Sequence, residues 1–239
     1  MTNKDIAYRF ASSQTAISNV FRQWLPALAS ALDFLIVWPG KEALMENIPQ
    51  CFKKSFKKCT GIIDCTEIVI RKPFGMEQKA VTWSSCKNSN TIKYLVCISP
   101  SGTITFLSDG WSGRVSDKQI TLCSGFTDKI ATGDLILADR GFTVVEEFAQ
   151  LGAYLQMPTF TTGRNQLAAM DVDKTRKLAN VRIHVERVIG RMRKYEIINT
   201  VLPVSIADMV DSIMRCIAGL TNLNKSVVNS GKKKKKKTT

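Results

Sequence analysis

Several features that mark common classes of protein are missing from this sequence. It contains a single histidine, His184, and its seven cysteines include no Cys-x-x-Cys pair. Zinc sites and disulfide frameworks need such residues in matched sets, so we expect neither, and we expect reduced thiols in an intracellular protein. The longest apolar stretch, residues 26–38, is interrupted by Ser30 and Asp33. It falls short of the ~20 residues that a membrane span requires, and no signal peptide is recognisable, so we expect no membrane partner.

Acidic residues are few relative to basic ones. The 239 residues include 34 Lys and Arg against 20 Asp and Glu, which gives a net charge of +14. Six of these charges lie in the run Lys232–Lys237, so the rest of the chain carries +8. A basic chain without a membrane segment favours nucleic acid as its partner and the nucleus as its location. We expect residues 227–239 to be disordered, with the lysines serving as a nuclear-import signal, as a loose DNA tether, or in no role at all.

Residues 1–59 show the periodicity of helices. Apolar residues recur at spacings of three and four, which predicts a buried stripe: Ile17, Val20, Phe21 and Trp24. Residues that can hydrogen-bond base edges occupy the opposite face: Gln14, Thr15, Ser18, Asn19 and Arg22. With Ser12 or Ser13 as its N-cap, this segment is typical of the DNA-reading helix in a partial helix-turn-helix, or of a small helical bundle with a solvated face. The basic stretch 51–58 is a linker that either contacts phosphate or is simply solvated.

From residue 60 the pattern changes to that of strands. We predict β-strands in five segments: residues 61–70, 91–99, 103–108, 134–139 and 153–158. We predict helices in four segments: residues 117–124, 144–151, 166–195 and 205–222. Three antiparallel-looking strands followed by alternating strands and helices predict a mixed α/β domain over residues 60–226.

Two aspartates stand in unusual positions on these strands. Asp64 interrupts an otherwise apolar strand, and Asp139 closes another just before Arg140 and Gly141. A carboxylate in or beside a core is costly unless it is paired or binds a cation. Asp139 is equally well explained as an ordinary turn residue, whereas a mid-strand aspartate has low β propensity and no helix to cap. Glu67 follows Asp64 by three positions, so strand alternation places it on the opposite face and we do not count it as a ligand.

A third carboxylate, Glu186, lies at the margin of the apolar stripe of the helix 178–195. Basic residues surround it, two on its own side of the helix (Arg182 and Arg193) and others projecting elsewhere: Arg187, Arg191 and Lys194. Residues 164–194 carry a net charge of +6. The helix is explained either by a solvated charged face or by a phosphate-handling acid among cations. If the three carboxylates converge, they suit two Mg²⁺ ions about 4 Å apart that assist phosphoryl displacement.

Four segments together resemble the DDE endonuclease domain of PIF/Harbinger-type transposases. They are residues 64–67 (Asp-Cys-Thr-Glu), 109–117 (Asp-Gly-Trp-Ser-Gly-Arg-Val-Ser-Asp), 133–142 (Gly-Asp-Leu-Ile-Leu-Ala-Asp-Arg-Gly-Phe) and 185–191 (Val-Glu-Arg-Val-Ile-Gly-Arg). The resemblance spans roughly residues 60–224, and residues 4–25 resemble part of the helix-turn-helix that precedes this domain in related transposases.

The resemblance implies an RNase H-like fold whose catalytic and metal-binding residues are Asp64, Asp139 and Glu186, with Asp117 as a supporting candidate. It implies DNA cleavage and strand transfer with Mg²⁺ or Mn²⁺, in the nucleus. A separate DNA-binding partner protein is also expected, and a homodimer is one candidate assembly. The basic residues of the helix, Arg182 to Lys194, and the polar face of the first helices are the expected DNA contacts.

Two other functions are compatible with the same residues. One is a domesticated, catalytically silent DNA-binding or adaptor protein on the same fold. The other is an RNase H-like nuclease that acts on RNA–DNA hybrids.

Overall fold

The computed structural model describes residues 2–158 and 169–228, with side chains from residue 175 onward in the second range. Arg164 and the lysine run lie outside these residues. The strands of the described part form one mixed sheet: β1 (Cys59–Val69), β2 (Trp83–Ser84), β3 (Ser89–Ile98), β4 (Ile104–Leu107), β5 (Trp111–Ser112), β6 (Leu135–Leu137) and β7 (Tyr154–Gln156).

Helices precede this sheet, connect its strands and follow it. They are α1 (Asn3–Arg9), α2 (Gln14–Leu32), α3 (Lys41–Glu46), α4 (Gln50–Lys53), α5 (Met76–Thr82), α6 (Asp117–Cys123), α7 (Val145–Gln150), α8 (Ala169–Met192), α9 (Glu196–Asn199) and α10 (Val210–Asn222). Short 3₁₀ turns occupy Asp33–Leu35, Thr127–Lys129 and Val204–Met209. None of the helices within residues 2–158 and 169–228 is long and apolar enough to cross a bilayer.

The strand order confirms the predicted mixed α/β, RNase H-like fold. β1 pairs antiparallel with β3 on one side and parallel with β6 on the other, and β6 pairs parallel with β7. The far edge of β3 is covered in turn by β2, β5 and β4, all antiparallel. The antiparallel pair β3 and β4 is joined by a short turn, β1 and β3 are joined through α5 and β2, and the parallel strands β6 and β7 are joined through α7, as chain connectivity requires.

Alternation along β1 directs its side chains into two cores. Ile62 and Ile68 pack with α8 and α10 on one face, whereas Ile63 packs with α6 and α7 on the other. The partner strand β6 divides in the same way, with Leu137 in the first core and Ile136 in the second. The central strands are therefore buried on both faces, which explains their nearly continuous apolar sequence.

The N-terminal helices share the first of these cores. Leu25 and Ala29 of α2 are buried in it beside residues of α10, and Gly219 lets α10 approach Leu32 to where an added Cβ would be 3.0 Å from the Leu32 Cβ. Ser13 caps α2 as predicted, because its Oγ accepts the backbone N–H of Ala16 at 3.0 Å.

The buried face of α2 differs from the one predicted. Val20 is 54% exposed and Trp24 is 66% exposed, so the prediction of a buried stripe is wrong for these two residues. The helix continues through Pro26 to Leu32, and the additional turns place Leu25 and Ala29, not Trp24, against α10. The residues up to Leu25 contain only the first part of this face, whose later members Ala29 and Leu32 follow Pro26.

A core substitution in α2 tests this shared packing. Leu25→Ala is expected to destabilise the protein by about 3 kcal/mol, because it removes buried methyl groups and leaves a cavity between α2 and α10. Leu28→Ala is the matched control, since Leu28 is 47% exposed one turn away. Urea unfolding monitored by circular dichroism should show one transition shifted for Leu25→Ala alone. An unshifted main transition would mean that α2 does not contribute to the stability of the sheet domain.

Candidate active site

The register of the two parallel strands brings Asp64 and Asp139 together. Ile62 of β1 is paired with Leu137 of β6, and each aspartate follows its paired residue by two positions. Neighbouring strands lie about 4.8 Å apart, and residues two apart share a face, so both carboxylates lie side by side on the face covered by α8. Asp139 lies just beyond the end of β6, where its Oδ1 accepts the Arg140 N–H at 2.7 Å.

The helix α8 brings Glu186 to the same face. Val185 and Val188 are buried against the sheet, and Glu186 lies next to them at the edge of the contact, with its side chain 56% exposed. Asp64, by contrast, is mostly enclosed, and the Cys65 N–H donates to its Oδ1 at 2.9 Å. The predicted placement of the three acids on a strand, at a strand end and on a helix is therefore the observed one.

Arg182 is the residue that links these carboxylates. Its side chain is only 11% exposed, its Nη1 lies 3.2 Å from Asp139 Oδ1 and its Nη2 lies 3.8 Å from Glu186 Oε1. Glu186 is four positions after Arg182 on α8, a spacing that places both on one side of the helix. A single guanidinium thus contacts two of the three acids, and it also attracts the charge of Asp64.

Burial raises the pKa of Asp64 to about 6. The Cys65 N–H and the Arg182 guanidinium act in the opposite direction, while the negative charges of Asp139 and Glu186 add to the increase. The three carboxylates are therefore close enough to interact electrostatically. Negative charges held close together in a partly buried site repel one another, and a bound cation would reduce that repulsion.

The chemistry of this donor set fits a hard divalent cation. Carboxylate oxygens are the ligands that Mg²⁺ and Mn²⁺ take in proteins. Within residues 2–158 and 169–228, no three His, Cys, Asp or Glu side chains are arranged closely enough to hold one ion together. The positive charge at Asp139 and Glu186 is supplied instead by Arg182.

Asp117 belongs to a cluster on the opposite face of the sheet. Lys93 Nζ lies 3.2 Å from Asp117 Oδ1 and 3.8 Å from Glu67 Oε1, and the Thr91 hydroxyl donates to Glu67 Oε2 at 2.8 Å. Glu67 is thus on the face predicted for it. Asp117 is also close to the loop that follows Asp139, because an added Cβ at Gly141 would lie 2.8 Å from its Oδ2. Asp117 therefore lies beside that loop.

The predicted DNA contacts on the first helices are mostly open to solvent. Gln14, Thr15 and Asn19 are exposed, and Ser18 is half-buried. Arg22 points to the sheet domain, where its guanidinium pairs with Asp208 at 2.9 Å and contacts the Ser205 carbonyl.

The predicted basic contacts on α8 divide into two groups. Arg187 and Lys194 are exposed. Arg193 donates to Thr66 Oγ1 at 3.1 Å, and Arg191 donates to the Lys225 carbonyl, so both brace the helix within the fold. Arg182 is the clearest departure, since it is buried against the acids rather than displayed to solvent.

The strand order, with one aspartate on β1, a second after β6 and a glutamate on α8, defines the RNase H-like class of fold. A family model described as DDE superfamily endonuclease matches residues 63–222, and the chain belongs to this family. The match begins one residue before Asp64 and includes Asp139 and Glu186. No curated protein is significantly similar to the chain.

The sequence contained a signal for the role of Arg182 that the prediction did not use. Arg182 and Glu186 have the i, i+4 spacing of a helical ion pair. The prediction grouped Arg182 with the DNA contacts because the whole helix is basic. The pairing with Asp139 depends on how α8 lies across the sheet, which has no local signature.

Proposed function

We propose that this chain is a metal-dependent DNA endonuclease of the transposase type, similar to PIF/Harbinger enzymes, that cleaves DNA and transfers strands at transposon ends in the nucleus. Asp64, Asp139 and Glu186 are its catalytic and metal-binding carboxylates. The observation that carries the proposal is the side-by-side position of Asp64 and Asp139 on two paired parallel strands, with Glu186 facing them from α8. Membership of the DDE endonuclease family supports DNA as the substrate.

The three carboxylates would hold Mg²⁺ or Mn²⁺, one or two ions, which supply charge stabilisation to the attacking and leaving oxygens of a phosphodiester. The protein's own contribution is to bring the acids together from β1, from the end of β6 and from α8. Burial raises the pKa of Asp64 to about 6, so this carboxylate is ionised as a metal ligand only above that pH. Arg182 holds Asp139 and Glu186 in place through its Nη1 and Nη2 atoms. Thr66, braced by Arg193, and the buried valines of α8 fix the helix against the sheet.

Plasmid nicking tests the proposal. With Mg²⁺ or Mn²⁺, the parent protein should convert supercoiled plasmid to nicked or linear DNA, and Asp139→Asn should lower the rate by about a thousandfold or more. That factor corresponds to several kcal/mol of lost transition-state stabilisation. Glu146→Gln is the control, because Glu146 is an exposed acid in the first turn of α7. Equal cleavage by the parent and Asp139→Asn would overturn the assignment.

A second function is favoured by the ion pairs of Arg182. A guanidinium that already neutralises Asp139 and Glu186 suits a DNA-binding protein that keeps the fold without cleaving. If the chain is such a DNA-binding protein, it should bind DNA but show no heat of Mn²⁺ binding in a calorimetric titration. If it is an endonuclease, it should bind Mn²⁺, and Asp139→Asn should weaken that binding. An RNA–DNA hybrid in the nicking assay separates the proposed activity from that of a general RNase H-like nuclease.

A further inference from the structure

A basic groove with an aromatic wall lies at the far end of β1. It has an open volume of about 660 Å³ and is lined by Lys72, Met76, Lys79, Trp83, Asn90 and Arg114. We call it the Trp83 groove. Its walls come from the segment between β1 and β3, which contains α5 and β2, from the start of β3, and from the residues just after β5.

Buried contacts fix the shape of the Trp83 groove. Asn90 is 4% exposed, and its Nδ2 donates to the Lys79 carbonyl and to Thr82 Oγ1, both at 2.9 Å. The backbone next to Arg114 is held equally closely, since an added Cβ at Gly113 would be 2.1 Å from Thr91 Oγ1 and 2.7 Å from the Thr82 carbonyl. The end of α5 and the start of the Arg114 segment are therefore locked together, which makes the groove a formed site.

The charge of the groove is of one sign. Lys72, Lys79 and Arg114 line it without any acidic residue, and none of the three forms an ion pair with a described carboxylate. Trp83 lines the same groove with 45% of its surface exposed. Cations at this density attract phosphates, and an exposed indole offers a stacking surface for a base. The volume also suits a ligand of nucleotide size.

The distance from the acids matches a path along one DNA strand. Asp64 and Lys72 are eight residues apart, and β1 spans most of that interval. At about 3.3 Å per extended residue the separation is at most about 26 Å, the length of roughly eight stacked nucleotides at about 3.4 Å each. A DNA strand with its scissile phosphate at Asp64 and Asp139 is therefore long enough to reach the groove.

We propose that the Trp83 groove binds single-stranded DNA, with an unpaired base stacked on Trp83 and neighbouring phosphates held by Lys72, Lys79 and Arg114. This inference rests on the proposed DNA substrate and adds a binding subsite within about eight nucleotides of the point of cleavage. An anionic membrane would also attract lysines and tryptophan. The concave shape and the buried bracing by Asn90 favour a nucleotide over a flat lipid surface.

Fluorescence anisotropy with a labelled single-stranded thymidine 15-mer, in EDTA and with the full chain, tests the subsite without requiring cleavage. Trp83→Ala should raise the dissociation constant about tenfold or more, the range expected for losing one stacked base. Trp83→Phe should retain most of the affinity because it retains a ring. Lys79→Ala with Arg114→Ala should weaken binding and lower its dependence on salt.

The matched control is Tyr154→Ala, which removes an aromatic side chain that is 63% exposed on β7, and it should leave binding unchanged. Circular dichroism of each variant checks the fold. Binding by Trp83→Ala equal to that of the parent would overturn the subsite, as would a Trp83-dependent affinity for phosphatidylserine vesicles but not for the oligonucleotide. If DNA binds through Trp83 while the parent does not nick plasmid, the subsite holds and the proposed catalysis fails. The binding assay therefore tests the subsite independently of the nicking assay, which tests the proposed catalysis.

Discussion

Replacing Asp64 with asparagine is expected to stabilise the metal-free protein at neutral pH and, at the same time, to abolish DNA cleavage. The two effects have one cause. Asp64 is an ionisable group largely removed from water beside Asp139 and Glu186, and its pKa is raised to about 6 by burial. Asparagine keeps the oxygen that accepts the Cys65 N–H but removes the charge, so the cost of burying a carboxylate disappears while the metal ligand is lost.

The pH range of this effect follows from the pKa of Asp64 in the two states. In the unfolded chain the group titrates near 3.8, and in the folded protein it titrates near 6, so the folded state binds more protons between these values. The parent therefore loses stability as the pH rises from about 4 to about 6, and the loss persists above 6. A shift of this size corresponds to about 2–3 kcal/mol.

Urea unfolding in EDTA at pH 3.5 and at pH 7.5 measures the difference. Asp64→Asn should match the parent at the lower pH and exceed it by about 2 kcal/mol at the higher pH. Glu146→Gln, at an exposed acid, should match the parent at both. If Asp64→Asn is less stable than the parent at pH 7.5, Asp64 stabilises the fold as an ion-pair partner. That result would contradict the expectation that its buried charge destabilises the metal-free protein.

Substitution of Arg182 is expected to have the opposite pair of effects. Arg182→Gln removes the guanidinium that contacts Asp139 and Glu186, so the metal-free protein should lose about 1–2 kcal/mol of stability from repulsion among the acids. The same substitution frees both carboxylates for an added cation. Its affinity for Mn²⁺ should therefore rise about tenfold, equivalent to 1.4 kcal/mol.

Calorimetric titration with Mn²⁺ and thermal unfolding with and without Mn²⁺ measure both effects. Arg187→Gln is the control, because Arg187 is exposed on the same helix and makes no ion pair with a described carboxylate. The increase in melting temperature on adding Mn²⁺ should be larger for Arg182→Gln than for the parent or the control. A lower Mn²⁺ affinity in Arg182→Gln would mean that the guanidinium organises the ligands and does not compete with the ion.

The positions of the catalytic candidates could be predicted from sequence because each has a local signature. Asp64 is a charge within an apolar strand, Asp139 ends another such strand, and Glu186 borders a helical apolar stripe. These patterns fix the element on which each residue lies. Their convergence could not be predicted in this way, because it depends on the parallel pairing of β1 with β6 and on the path of α8.

Other features could not be predicted because they arise only from tertiary contacts. The Trp83 groove is assembled from the short α5, the two-residue strand β2 and a turn after β5, elements too short to show a periodic pattern. The true buried face of α2 depends on its continuation past Pro26 and on its contact with α10. The pairing of Arg182 with Glu186 can be predicted from their spacing of four residues. Its pairing with Asp139 cannot, because the two residues are 43 positions apart in the sequence.

The most direct test of the carboxylate site is a crystal of the protein grown with Mn²⁺ and measured near the manganese absorption edge. We expect an anomalous peak within coordination distance of Asp64 and Asp139, with Glu186 turned toward the same ion and the guanidinium of Arg182 displaced from Asp139. An anomalous map without a peak at these carboxylates at saturating Mn²⁺, with Arg182 still paired to Asp139, would contradict it.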